Sequence, residues 1–104
     1  MTTRKAQVTL VGPGLRLVGE SQGRAIVADH TLPDEDREET GPRPVNLLLI
    51  GLCGCTGMDV VSILRKKRQP FTGLQVKATA ERAEEHPKVF TEIHLEFVVT
   101  GKDV

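Results

Sequence analysis

The chain has 104 residues, the length of one small domain, and its 38% hydrophobic and 27% charged residues describe a soluble globular composition. Fourteen basic residues balance fourteen acidic ones, which argues against a general binder of phosphate backbones. The aromatic residues are three phenylalanines, without Trp or Tyr, and there are two cysteines. That leaves no platform for base stacking, no disulfide scaffold and no cysteine-built zinc site.

The N-terminal stretch MTTRKAQVTL lacks an apolar core and a cleavage pattern, so it does not read as a secretory leader. Residues 4–11 alternate, with Ala6, Val8 and Leu10 on one face and Lys5, Gln7 and Thr9 on the other, the pattern of a half-buried strand. Gly12-Pro13-Gly14 is a turn. Leu15 to Val18 and Arg24 to Ala28 are two further strand-like runs joined by a hairpin loop at Ser21-Gln22-Gly23. The segment 29–39 carries Asp29, Asp34, Glu35, Asp36, Glu38 and Glu39 against Arg37 and is expected to be a solvated loop.

The prolines of Gly41-Pro42-Arg43-Pro44 mark a helix entry. From Pro44 to Lys67 the run is apolar almost all round in its first half, then amphipathic, with Val60, Val61, Ile63 and Leu64 against Asp59, Ser62 and Arg65. Such a helix would be about 36 Å long and buried, either as the central helix of a domain or at an interface. Its longest apolar stretch, Val45 to Cys55, is shorter than the roughly 20 residues that span a bilayer. Gly51, Gly54 and Gly57 recur every third residue, which suggests a close-packed neighbour. Arg65-Lys66-Lys67-Arg68 closes the helix and complements its dipole, with contact to an anion or RNA as the alternative use. Leu74 to Glu81 and Val89 to Thr100 alternate again around a polar loop containing His86 and Pro87, and read as an antiparallel hairpin. Ile93, Leu95, Phe97 and Val99 form its inward face. The order is an N-terminal β-meander, a long buried central helix and a hairpin, an α+β class.

Cys53-Gly54-Cys55 is the chemically pointed feature. A thiol is nucleophilic as its thiolate, and both cysteines lie too deep in the helix for its N-terminus to help, so a cation from elsewhere would be needed. Arg24, Arg16 and Arg43 are the candidates, and buried structural cysteines are the other reading of the pair. Two residues apart on a helix place the cysteines about 200° from one another, on different faces. Cys55 shares its face with Gly51 and Asp59. His30, His86 and His94 are scattered without metal-ligand spacing, and no phosphate-binding glycine loop occurs, so no metal or cofactor is expected.

The stretch Pro44-Val-Asn-Leu-Leu-Leu-Ile-Gly-Leu-Cys-Gly-Cys-Thr-Gly-Met-Asp-Val-Val-Ser-Ile-Leu resembles the central helix of the OsmC/Ohr family, in its OsmC-like branch. His86-Pro-Lys-Val-Phe-Thr-Glu-Ile-His-Leu-Glu-Phe-Val-Val-Thr-Gly resembles the hairpin strand that follows there. The resemblance implies an intertwined homodimer with the central helices buried between subunits, and a single OsmC-like domain over residues 1–104 without the family's last strand and helix. It also implies a thiol-dependent peroxidase that reduces organic hydroperoxides, and the absence of a leader pattern or a spanning run in the sequence makes a cytoplasmic location the default expectation. A peroxidatic cysteine would become a sulfenic acid, an arginine would stabilise its thiolate, and an external thiol or lipoylated reductant would restore it.

Residue by residue, Cys55 stands at the peroxidatic position, before Thr56 and four before Asp59. Cys53 matches no family cysteine and is a possible accessory, as is Asp59. Arg24 lies in the region of the strand arginine, with Arg16 as alternative. Asn46 stands where many members carry a glutamate near the helix start. The competing expectation is a non-catalytic dimerising or binding module of the same fold. Neither nucleic acid nor membrane is expected as a partner.

Overall fold

Gln22 and Gly23 both adopt positive φ, 55° and 72°, and so form the two-residue turn whose twist matches that of antiparallel strands. The turn joins β2 (Leu17–Ser21) to β3 (Arg24–Ala28), and β1 (Gln7–Leu10) pairs with the other edge of β2. The three strands form the expected meander in the order β1-β2-β3. The computed structural model describes residues 2–84 and 89–102. The chain divides into two compact units, residues 1–48 and 49–104.

In the first unit, register places Val8, Gly19 and Ile26 in one row across the sheet and Leu10, Leu17 and Ala28 in the next. This is the apolar face that the alternation of residues 4–11 anticipates. Its coverage differs from the expectation: Ala28 is buried, whereas Val8, Leu10 and Ile26 are more than half exposed. The strand is also shorter than its pattern, and β2 starts two residues later than predicted.

The acidic segment is not the solvated loop expected from its composition. Asp29 is completely buried. Arg37 grips its carboxylate with both terminal nitrogens, at 2.7 and 2.9 Å, the two-pronged geometry in which a guanidinium matches a carboxylate. The Thr40 hydroxyl and amide donate to the same carboxylate at 2.9 and 3.1 Å, and the His30 amide at 2.8 Å. Arg37 also donates through Nε to Glu35 at 2.6 Å, and Arg43 pairs with Glu39. Net charge along a segment says nothing about which carboxylate turns inward; Asp29 is buried where Arg37, Thr40 and His30 together supply its donors. Gly41 passes so close to the Val27 carbonyl that a Cβ there would collide with it, and the Asp29 amide donates to Pro42. The loop is therefore tied along the end of β3 just before the helix begins.

Helix α1 (Pro44–Lys66) has nearly the expected bounds. Pro44 opens it, with fixed φ and no amide to satisfy. Arg68 closes it in the left-handed region, at φ 54°. The Arg68 amide donates to Arg65 and the Gln69 amide to Leu64, which together satisfy two otherwise orphaned helix carbonyls. Pro70 then prevents continuation.

The second unit adds the antiparallel hairpin β4 (Phe71–Arg82) and β5 (Phe90–Gly101). Leu74 faces Val99, Val76 faces Phe97, Ala78 faces Leu95 and Ala80 faces Ile93, so the apolar face is continuous. Ile93 and Phe97 remain 41% and 43% exposed, more open than their inward pattern anticipates. His86 and Pro87, in the expected loop, lie outside the described residues.

Arginine-bound carboxylates have a signature in acid. Arg37 holds Asp29 well below the usual carboxylate range, against the opposing effect of burial. A folded-state pKa below the unfolded value means stability that is present above about pH 4 and fades as the pH falls through the depressed value. Asp29→Asn should lower stability at pH 7 and flatten the loss of stability between about pH 5 and 2 in urea titrations. Glu35 and Glu39, also held low, retain part of that slope. Arg68→Gly should stabilise the chain by roughly 1 kcal/mol, read as a shifted urea midpoint, because glycine enters the left-handed region without cost.

Candidate functional site

Helical geometry separates the two thiols. Cys53 is half-buried and Cys55 exposed. The face of α1 carrying Cys55 runs through Leu48, Leu52, Met58 and Asp59, at spacings of three and four residues. Leu48 is 66% and Met58 76% exposed, so Cys55 sits in the middle of an uncovered apolar stripe. Asp59 shares this face one turn on and is exposed. The Thr56 hydroxyl donates back to the Leu52 and Cys53 carbonyls, at 2.9 and 3.2 Å, and is thereby held against the helix.

The opposite face lies against β4. Gly57, the buried residue of the helix, has Val76 and Leu74 where a side chain would begin, at 3.4 and 3.7 Å from a Cβ. The spacing predicts close packing at Gly51, Gly54 and Gly57 alike, but among the described residues only Gly57 meets a neighbour, and Gly51 and Gly54 look onto open space. A step of three residues turns a helix by about −60°, so three glycines at that spacing fan across its surface. Cys53 stands on the Gly57 side, in a groove of about 790 Å³ between α1 and β4.

The candidate arginines belong to the first unit. Arg24 is exposed on β3 and lines a groove of about 520 Å³ with Val8, Ile26 and Leu47. Arg16 is drawn toward the buried Asp29, its Nε 3.5 Å from the carboxylate. Arg43 is paired with Glu39, which raises its pKa. Arg24 is thus the candidate that no structural carboxylate engages among the described residues. The composition of 29–39 does not single out Asp29 as the determinant of the loop; the lone Arg37 within a carboxylate run is the signal that points to it. Among the described residues no group of three His, Cys, Asp or Glu side chains is placed to hold a metal.

A meander, a long apolar helix carrying a cysteine and a hairpin are the parts of an OsmC-like protein, and the description "OsmC-like protein" matches residues 35–104. The chain belongs to that family. It is 44% identical over 92 residues to Protein YhfA of Escherichia coli K12, a match covering 88% of this chain and 65% of the relative, and equally similar to that of Shigella flexneri. The chain thus spans just under two thirds of the length of these relatives. A structural-genomics structure superposes with a TM-score of 0.78 at 40% identity, covering 96% of this chain and 70% of the other. A hypothetical protein from Aquifex aeolicus VF5 superposes at 0.80 with 25% identity, covering 99% and 72%.

By length and apolarity α1 meets the requirement for crossing a membrane, although the run Val45 to Cys55 alone does not. Gly51 and Gly54 lie on α1 where a Cβ would meet no other atom among the described residues. In the isolated chain, Gly51→Ala and Gly54→Ala should each stabilise by up to about 1 kcal/mol through helix propensity. Where a second copy packs closely on this face, the same changes should weaken association, measured by concentration-dependent light scattering.

Proposed function

We propose that the chain is a cytoplasmic, thiol-dependent peroxidase that reduces organic hydroperoxides through Cys55, at a site completed by a second copy packed on the exposed face of α1. The observation that supports this reading most is the position of Cys55: an exposed thiol at the centre of an apolar, uncovered stripe. Association would bury that stripe, exclude water around the thiol and leave an apolar approach for an organic peroxide.

The Cys55 thiolate attacks the terminal oxygen of the hydroperoxide. The S–O bond forms as the O–O bond breaks, and the departing alkoxide takes a proton and leaves as the alcohol. Cys55 is then a sulfenic acid. A thiol attacks its sulfur, water leaves, and a mixed disulfide forms; a second thiol releases Cys55. That reductant is an external dithiol or a lipoylated protein, because Cys53 points away on the other helix face. The resemblance implies an arginine that holds the thiolate and the developing negative oxygen, and Arg24, without a carboxylate partner among the described residues, is the candidate for it.

A second reading, a non-catalytic dimerising module, is favoured by the absence of any acidic residue in the first turn of α1, where Asn46 stands.

Consumption of cumene hydroperoxide with dithiothreitol separates the two. Cys55→Ser should fall to the uncatalysed background and lose the dimedone adduct seen by mass spectrometry, while Cys53→Ser keeps most activity. Equal rates for the Cys55→Ser variant and the parent chain would eliminate the peroxidase reading.

A further inference from the structure

From Pro44 to Leu64 the central helix carries a single charged residue, Asp59. It stands four residues after Cys55, so the two side chains are neighbours on one face, about 5–6 Å apart at their Cβ atoms. Both are exposed, among the apolar side chains of Leu48, Leu52, Met58 and Ile63. Asp59 makes no ion pair and no side-chain hydrogen bond among the described residues. The positions one turn away are Cys55, Thr56, Ser62 and Ile63, none of them basic. The Thr56 hydroxyl is committed to the Leu52 and Cys53 carbonyls and offers Cys55 no proton. β4 meets α1 on its other side through Leu74 and Val76, which bring no charge. A lone carboxylate thus stands beside the thiol on an apolar helix face.

We propose, resting on the reading that a second copy covers this face of α1, that Asp59 is the positioning residue for the Cys55 thiolate. It takes one edge of an arginine guanidinium that the second copy brings, and the remaining N–H groups of that guanidinium are then held at Cys55 Sγ. Covering the stripe takes Asp59 out of water together with the apolar side chains around it. A carboxylate so covered is strongly unfavourable unless it is paired and hydrogen-bonded. Unpaired, it would also repel a neighbouring thiolate and hold the thiol in its unreactive protonated form. One cation answers both demands. Arginine fits better than lysine, because its planar fork grips a carboxylate by one edge and keeps N–H groups for a second anion, whereas an ammonium is a point charge. The cation comes from the second copy, since within the single chain no basic group reaches Asp59 among the described residues. Asp59 touches neither the peroxide nor the sulfur; it acts through the guanidinium.

Ionisation of Cys55 is the readout. The chain has no Tyr, so in a Cys53→Ser background the ultraviolet absorbance of the thiolate follows Cys55 alone. The full chain is titrated at concentrations on both sides of its association, set by light scattering. Association should lower the pH at which half of Cys55 is ionised by about one unit or more, the effect of an opposite charge at close range, whereas an apolar cover alone would raise it. In the associated protein Asp59→Asn should raise that midpoint by a similar amount, and Asp59→Glu should keep it close to the parent value. In the dissociated chain Asp59→Asn should instead lower the midpoint, because there it only removes a like charge. Where Asp59→Asn prevents association altogether, the parent's own shift on association decides. A midpoint that Asp59→Asn lowers or leaves unchanged in the associated protein would overturn the proposal. So would a parent midpoint that rises on association, or a chain that stays monomeric at every concentration. Cys55 can ionise in this way in a chain that consumes no hydroperoxide, and hydroperoxide can be consumed with Asp59 idle, so the two proposals fail separately.

Discussion

The constraint that governs α1 is that it carries more apolar surface than its own hairpin covers. α1 is apolar on nearly every side of its first half, yet its buried residue is Gly57, where β4 approaches closely. Burial of apolar side chains is the dominant favourable term in folding, so large residues such as Leu48, Ile50 and Met58 left in water represent stabilisation not yet collected. The helix opens on Pro44 and is closed at its other end by the Arg68 and Gln69 amides. Its outer stripe is what remains to be settled by whatever lies against it, and Cys55 stands in the middle of that stripe.

The polar part of the fold is ordered by the opposite logic. Asp29 is taken wholly out of water and compensated by five donors from Arg37, Thr40 and His30. Removing a partner from such a cluster leaves an uncompensated buried charge, so its members are interdependent. Its effect is positional. It pins the connection between β3 and α1, and it draws Arg16 toward a structural carboxylate while Arg24 stays exposed on the neighbouring strand. Electrostatics here distributes roles among arginines that composition treats as equivalent.

Much of the fold was legible because its signals are local. The alternation of Leu74 to Glu81 and of Val89 to Thr100 named the hairpin, and its register paired the apolar residues with one another. The Ser21-Gln22-Gly23 turn carried its own conformational requirement. The motif around Cys55 pointed to the family, and the family match covers residues 35–104. The faces of the two cysteines also followed from spacing, since a rotation of about 100° per residue leaves no freedom. What spacing did not disclose is that Cys53 opens onto a groove, because part of that groove comes from Leu74 and Val76 of β4.

The sequence by itself determined the element types, their order, the helix bounds and the separation of the two thiols. These depend on periodicity and on proline and glycine chemistry, which act over a few residues. Tertiary structure decided which acid of 29–39 is buried, which of three glycines packs, and how little of the apolar surface is covered. Those outcomes depend on what sits opposite each residue, a distance in space that no spacing along the chain encodes.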